Sequence, residues 1–233
     1  MSISENIAHI QGQIQQVCQH TDRTLGSVTL LAVSKTQPVS AIQAAINAGQ
    51  TAFGENYVQE GVEKIQYFQG QSVPLEWHFI GPLQSNKTRL VAEHFDWVES
   101  VDREKIAQRL SEQRPATMPD LNVLIQVNIS HERSKSGIAP CDVLDFAQKI
   151  VTLPRITLRG LMAIPAPVTT RTEQNPFAQM KTLFTQLQTA LPDCAIDTLS
   201  MGMSDDMQDA IKYGSTQVRI GTAIFGARHY TTK

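Results

Sequence analysis

Residues 28–40 read Val-Thr-Leu-Leu-Ala-Val-Ser-Lys-Thr-Gln-Pro-Val-Ser, an apolar run that ends at Lys35 and precedes a helical pattern. The run predicts a buried strand, and Pro38 favours the start of a helix behind it. A doubly wound nucleotide-binding sheet more often carries Gly-x-Gly-x-x-Gly after its first strand. Because residues 34–40 contain no glycine, this stretch favours a closed barrel over an open sheet.

The same order of strand and then helix repeats along the chain. Strands are predicted at 28–34, 51–54, 75–80, 96–100, 121–128, 157–163, 196–200 and 217–220, and helices at 38–48, 56–68, 86–94, 102–113, 140–152, 176–190 and 204–213. An extra amphipathic helix is predicted at 4–20, and Ser4, Asp102 and Ser204 are the expected caps of three helices. Such alternation requires a parallel sheet, and eight units of about 25 residues suit a single (β/α)8 TIM-like barrel over residues 1–233.

The composition is that of a soluble globular protein, with 41% hydrophobic and 18% charged residues. A net charge of −2 gives no electrostatic reason to expect binding to nucleic acid or to an anionic membrane. Cys18, Cys141 and Cys194 form neither a metal-ligand spacing nor an even disulfide framework, which predicts a reducing compartment. Without a signal-peptide pattern or a long apolar stretch, the chain is predicted to be cytoplasmic.

Lys35 puts an ammonium group at the carboxyl end of the first strand. Desolvation there would lower the pKa of the amine, and a neutral amine can form a Schiff base with a carbonyl compound. The alternative is a solvated lysine, which is the commoner situation at a strand end. In a closed barrel the eighth strand pairs with the first, so Lys35 would lie beside the loops after strands seven and eight, where this fold often binds phosphate.

The loops after the last two strands have the composition of an anion site. Residues 200–206 (Ser-Met-Gly-Met-Ser-Asp-Asp) and 219–222 (Arg-Ile-Gly-Thr) combine hydroxyl groups with glycines that allow a close approach to the backbone. Singly, Ser204 is typical of an N-cap and Gly221 of a turn, but together, beside Lys35, they predict phosphate binding. The absence of a Walker pattern and of paired magnesium carboxylates argues against phosphoryl transfer. A lysine amine facing a phosphate cradle is the layout expected for pyridoxal 5′-phosphate (PLP).

Three further polar residues near strand ends are candidates for the pyridine ring. Arg219 lies in an apolar strand, where a guanidinium is costly unless it faces a site or pairs with a carboxylate inside the barrel. Facing the site, it could donate to the pyridine nitrogen and keep that nitrogen unprotonated, which weakens the ring as an electron sink. Asn56 and His78 could line the ring or its hydroxyl, but Asn56 could equally cap a helix and His78 could be a core histidine.

Five motifs, in this order, resemble the signatures of the pyridoxal phosphate homeostasis protein family: residues 32–36 (AVSKT), 53–57 (FGENY), 77–87 (WHFIGPLQSNK), 199–206 (LSMGMSDD) and 218–226 (VRIGTAIFG). The resemblance extends from the first strand to Arg228. It implies a monomeric barrel of the alanine racemase N-terminal type (PLP fold type III) that acts in vitamin B6 and amino-acid homeostasis. It also implies that Lys35 carries PLP as an internal aldimine, with Ser200, Gly221 and Thr222 at the phosphate and Arg219 at the ring nitrogen.

A PLP-dependent amino-acid racemase is the alternative function. Racemisation needs one base on each face of the substrate Cα. Lys35 supplies one base, and none of the four tyrosines, Tyr57, Tyr67, Tyr213 and Tyr230, is convincingly placed opposite it. Related racemases take their tyrosine from an additional domain of a partner subunit, for which this sequence leaves no room. We therefore expect a carrier or regulator that could pass PLP to apoenzymes, and a protein-interaction module that signals PLP occupancy is a third class.

The loop at residues 130–137 is polar and basic and follows the fifth predicted strand, on the side of the expected site. It could form a lid, or a second aldehyde-reactive site at Lys135. A solvated loop without either role is the alternative.

Overall fold

The computed structural model describes residues 1–70, 73–130, 136–166 and 175–226. Its parallel strands form a closed barrel in chain order, and the last strand pairs with the first. The strands are β1 (Thr29–Val33), β2 (Ala52–Glu55), β3 (Glu76–Phe79), β4 (Trp97–Val101), β5 (Leu121–Val127), β6 (Ile156–Ala163), β7 (Thr198–Ser200) and β8 (Gln217–Ile220). The predicted (β/α)8 barrel is thus confirmed, and the open doubly wound sheet is not what the chain forms.

Helices surround the barrel: α1 (Ile3–His20), α2 (Val39–Asn47), α3 (Val58–Phe68), α4 (Thr88–His94), α5 (Glu104–Gln113), α6 (Val143–Ile150), α7 (Pro176–Ala190), α8 (Met207–Lys212) and α9 (Thr222–Phe225). Within the described part of the chain, none of them is long and apolar enough to cross a membrane. Lys135, Arg228, Tyr230 and most of the 130–137 loop lie outside the described residues.

Strand β1 shows how the sequence divides its side chains between the two faces of the sheet. Leu30 and Ala32 belong to the large hydrophobic cluster that includes the surrounding helices, whereas Leu31 and Val33 belong to a small cluster with residues of β2 and the end of β3. Since alternate residues of a strand point to opposite faces, Leu31 and Val33 face the barrel interior. Arg219 is the β8 partner of Leu31 in the parallel register and faces the interior with it.

Three helix starts differ from the predicted caps. Helix α1 is capped by Ser2, which forms a capping box with Glu5, and not by Ser4. Helix α5 begins after Arg103 without a side-chain cap, so Asp102 does not cap it. Ser204 lies in a turn, and α8 begins after Asp206, whose carboxylate instead accepts from the backbone N–H of Met203. The side chain of Asp206 thus stabilises the loop that follows β7 and not the first turn of the helix.

Candidate cofactor-binding site

A pocket of about 590 Å³ opens at the carboxyl ends of the strands. This volume lies within the range of about 300–1,000 Å³ that is typical of small-molecule sites. Its lining includes six of the residues predicted from the sequence: Lys35, Asn56, Ser204, Arg219, Gly221 and Thr222. Apolar side chains that include Val33, Ile80 and Ile164 form other parts of the wall. A second cleft, of about 480 Å³, lies between α5 and α6 on the outer layer and contains none of these polar residues.

The loop after β7 is joined to strand β8 at one edge of the pocket. The backbone N–H of Arg219 donates to the carbonyl oxygen of Gly202 at 2.9 Å. Gly202 has a φ of +98°, and a Cβ added there would lie 2.5 Å from the Cβ of Ala210, so the loop needs glycine at this position. Gly221 immediately precedes α9, whose first backbone N–H groups have no partner within the helix. With the hydroxyls of Ser204 and Thr222, they form a donor set suited to an anion.

The backbone on both sides of Lys35 is anchored. The carbonyl oxygen of Ser34 accepts a 2.7 Å hydrogen bond from Lys64 Nζ, and Ser34 Oγ donates to Glu55 at 2.6 Å. The N–H of Thr36 donates to Glu60 at 2.5 Å. Thr36 adopts a φ of +64°, a left-handed conformation that is unfavourable for a β-branched residue. The surrounding contacts therefore hold a strained backbone in place next to Lys35.

These anchors form one ion cluster, in which Lys64 and Glu55 are buried and Glu60 is partly exposed. Lys64 lies on α3 and pairs with Glu55 at 2.8 Å and with Glu60 at 2.6 Å. Burial raises the pKa of Glu55, and the nearby Lys64 opposes that rise. Removal of the ammonium group would leave the Glu55 carboxyl buried without its compensating charge.

Asn56 presents an unsatisfied acceptor next to the pocket. Its Oδ1 atom is buried and has no hydrogen-bond partner among the described residues, although Asn56 lines the pocket. Such atoms are rare in folded proteins, and a ligand donor can satisfy them. Helix α3 has Tyr57 at its N-cap and no side-chain cap, so Asn56 does not have the alternative role of a helix cap.

His78 and Ser200 occupy a different place from the other six predicted residues. Both are fully buried, and neither contributes to the pocket lining. They join a hydrogen-bonded chain in the barrel interior, centred on Glu99, whose carboxylate accepts from His78 Nδ1 at 2.7 Å, Ser200 Oγ at 2.7 Å and Gln217 Nε2 at 2.5 Å. Ser200 Oγ in turn accepts from Arg219 Nη1 at 2.7 Å. This hydrogen-bonded chain therefore ends at Arg219, which lines the pocket.

At the other end of this chain, His78 Nε2 lies 2.9 Å from Glu76, whose side chain is 48% exposed at the start of β3. Burial disfavours the charged form of His78, but hydrogen bonds to Glu76 and Glu99 raise its pKa overall. Burial also disfavours ionised Glu99, yet the hydrogen bond from His78 lowers the pKa of that carboxyl. We therefore assign an imidazolium to His78 and a carboxylate to Glu99.

Glu99 was not among the site residues predicted from the sequence. All five residues of β4, from Trp97 to Val101, are buried. A carboxylate within such a strand requires a partner, which is the same argument that singled out Arg219 in β8. The two groups do not pair directly, since the Ser200 hydroxyl stands between them.

The family model for the alanine racemase N-terminal domain matches residues 6–229. A pyridoxal phosphate homeostasis protein of Pasteurella multocida is 64% identical over 232 residues, which cover 99% of this chain and 100% of the relative. PipY of Synechococcus elongatus, whose structure is known without PLP (37% identity, TM-score 0.85) and with PLP bound (36%, 0.83), matches 97% of this chain over its full length. An alanine racemase of Clostridium difficile has 14% identity and a TM-score of 0.73, with 98% of this chain aligned to 58% of that chain, which shows a shared fold.

Proposed function

The chain belongs to the pyridoxal phosphate homeostasis protein family, and from this premise we propose that it binds PLP in the Lys35 pocket and acts as a carrier or regulator in PLP and amino-acid homeostasis. The observation that carries the proposal is that one pocket joins Lys35, Arg219 and Thr222. The amine, the guanidinium, and the hydroxyl beside the helix-end amides match the aldehyde, the ring nitrogen and the phosphate of PLP, respectively. The PLP-bound structure of the related PipY supports the choice of ligand.

Each polar part of the pocket has a proposed role. PLP supplies an aldehyde that condenses with a primary amine with loss of water, a ring hydroxyl, a ring nitrogen and a phosphate. Lys35 provides the amine for covalent attachment, and Arg219 donates to the ring nitrogen. The orphan Oδ1 of Asn56 is the proposed acceptor for the ring hydroxyl. The hydroxyls of Ser204 and Thr222, with the backbone at Gly221, hold the phosphate.

Two features favour holding the cofactor over racemase chemistry. Arg219 stays cationic at the ring nitrogen, which disfavours protonation there and weakens the ring as an electron sink. The tyrosines within the described residues, Tyr57, Tyr67 and Tyr213, do not line the pocket. We therefore propose a monomeric, cytoplasmic, non-enzymatic protein that exchanges PLP with apoenzymes.

The decisive experiment is borohydride trapping followed by peptide mapping. We expect the purified protein incubated with PLP to show a visible absorption band, and reduction to fix the label on the peptide containing Lys35. Lys35→Ala should abolish the label, whereas Lys105→Ala, at an exposed position on α5, should not. A colourless protein that stays unlabelled would refute PLP binding. Turnover on the order of 1–10³ per second with any D/L amino-acid pair would refute the non-enzymatic role.

A further inference from the structure

We propose that Glu99 is a positioning residue. It acts through the Ser200 hydroxyl to orient the Arg219 guanidinium toward the ring of the cofactor PLP. The inference rests on the proposed function, since it concerns the same pocket. It assigns Ser200 to the ring side of the site, beneath the pocket, and not to the phosphate. It also gives a role to a carboxylate that faces neither solvent nor ligand.

The place of Glu99 argues against a purely structural role. The interior of a (β/α)8 barrel is usually filled by layers of Val, Ile and Leu. Here Glu99, His78 and Arg219 are all buried among the barrel strands. Replacing such a charged cluster by apolar side chains is often neutral or stabilising, so fold stability alone is a weak reason for its presence. A requirement for fixed charges beneath the pocket explains why this charged cluster is present.

The proton of the Ser200 hydroxyl determines which groups donate and which accept along this hydrogen-bonded chain. A serine hydroxyl has one proton, and Ser200 donates it to Glu99 Oε2 at 2.7 Å. Its oxygen is then left to accept, and it accepts from Arg219 Nη1 at 2.7 Å. Because the proton is committed to Glu99, Ser200 has none to offer to a phosphate in the pocket above.

The guanidinium is held at two of its nitrogens. Arg219 Nη1 donates to Ser200, and Nη2 donates to the carbonyl oxygen of Ala163 at 2.8 Å. A guanidinium has five N–H groups in a rigid plane, so two anchors set the direction of the remaining donors. Arg219 also lines the pocket, and the proposal places those remaining donors on the pocket side. Loss of the Ser200 anchor would free one end of that plane.

His78 keeps Glu99 ionised within the hydrogen-bonded chain. Both of its ring nitrogens face carboxylates, Glu76 and Glu99, and its ring stacks on Trp97 with centroids 5.0 Å apart and planes at 5°. As an imidazolium it donates at both nitrogens, so Glu99 remains an acceptor for Ser200. His78 is therefore a support for Glu99 and not a direct contact of the cofactor.

The test compares Glu99→Gln and Ser200→Ala with two matched controls. Asp96→Asn removes another carboxyl, partly buried, which accepts from the N–H of Trp77. Ser111→Ala removes another buried hydroxyl, which donates to the carbonyl oxygen of Pro154 on the outer layer. Binding is measured by absorbance with three probes: PLP, pyridoxal, which lacks the phosphate, and the 1-deaza analogue of PLP, which lacks the ring nitrogen.

We expect both test variants to weaken PLP binding about tenfold and to shift its visible absorption band, as expected for a lost charge-assisted contact. This loss of affinity, of about tenfold, should also be seen with pyridoxal and should be absent with the deaza analogue. The control variants should bind like the wild type. A Ser200→Ala defect that vanishes with pyridoxal would instead assign Ser200 to the phosphate. Equal defects with PLP and with the deaza analogue, or an unchanged affinity and band, would also overturn the inference.

The outcome is separable from that of the proposed function. If the wild-type protein traps no PLP at Lys35, the proposed function fails before any variant is compared. If the wild type traps PLP and the test variants match it, only the positioning role fails. Should Glu99→Gln not fold, as judged by circular dichroism, Ser200→Ala carries the test, because it removes a single oxygen atom.

Discussion

The Nζ atom of Lys64 lies 2.7 Å from the carbonyl oxygen of Ser34, the residue immediately before Lys35. A buried cation on α3 is thereby tied to the end of the strand that leads to Lys35, the proposed attachment site of PLP. The partners of this cation hold the same segment, because Glu55 accepts from Ser34 Oγ and Glu60 from the N–H of Thr36. The position of Lys35 therefore depends on an ion cluster that does not line the pocket.

Lys64→Met should destabilise the protein and slow the trapping of PLP at Lys35. It leaves the Glu55 carboxyl buried without its partner, a loss of about 3–5 kcal/mol in the free energy of unfolding. Urea unfolding and the rate of borohydride labelling measure the two effects. Lys149→Met is the matched control, since Lys149 is paired with Glu104 on the surface, where solvent screening leaves ion pairs little effect on stability. Equal unfolding midpoints for the two variants would contradict this account.

Gly81→Ala should weaken PLP binding through Asn56. A Cβ at position 81 would lie 2.2 Å from the backbone oxygen of Asn56, so the main chain that carries the proposed ring contact must move. We expect a loss of affinity and a lower unfolding temperature. Gly12→Ala is the control, because a Cβ there meets nothing within 4 Å and α1 should gain up to about 1 kcal/mol. Wild-type affinity in Gly81→Ala would show that Asn56 does not contribute to binding.

The sequence predicted the barrel because the patterns that define it are local. The apolar run before Lys35 and the alternation of strands and helices depend only on neighbouring residues, and the pocket residues follow from the rule that parallel strands end on one face. The convergence of Lys35, Asn56, Arg219 and Thr222 was predictable on this basis. The assignment of these residues to parts of PLP stays a prediction.

The role of Glu99 was not predictable by the same means. Its partners His78, Ser200 and Gln217 come from three other strands, and only the barrel register brings them together. The donation of the Ser200 proton to Glu99 also depends on that arrangement. Similarly, Ser204 was the expected cap of α8, and its place in a turn before the helix depends on how the loop after β7 packs.

Thr222→Val should separate the phosphate contact from the ring contacts. The substitution keeps the shape of the side chain and removes the hydroxyl, so PLP affinity should fall by about 2- to 10-fold, as expected for one hydrogen bond. Pyridoxal, which has no phosphate, should bind the variant and the wild type equally. Thr182→Val, at an exposed position on α7, is the control. An equal loss with pyridoxal would place Thr222 elsewhere than at the phosphate.

His78→Gln should change the pH dependence of stability in a defined direction. The pKa of His78 is raised from 6.5 by folding, so its contribution is complete below that pH and is lost as the pH rises through the folded-state value. The pKa of Glu99 is lowered from 4.5, so its contribution is present above that pH and is lost as the pH falls through the folded-state value. The difference in unfolding free energy between wild type and variant should therefore be largest between pH 4.5 and 6.5 and decrease on both sides. Urea unfolding from below pH 4.5 to above pH 6.5 measures it. A difference that instead grows as the pH rises toward 6.5 and stays high above it would mean that His78 is buried in its neutral form.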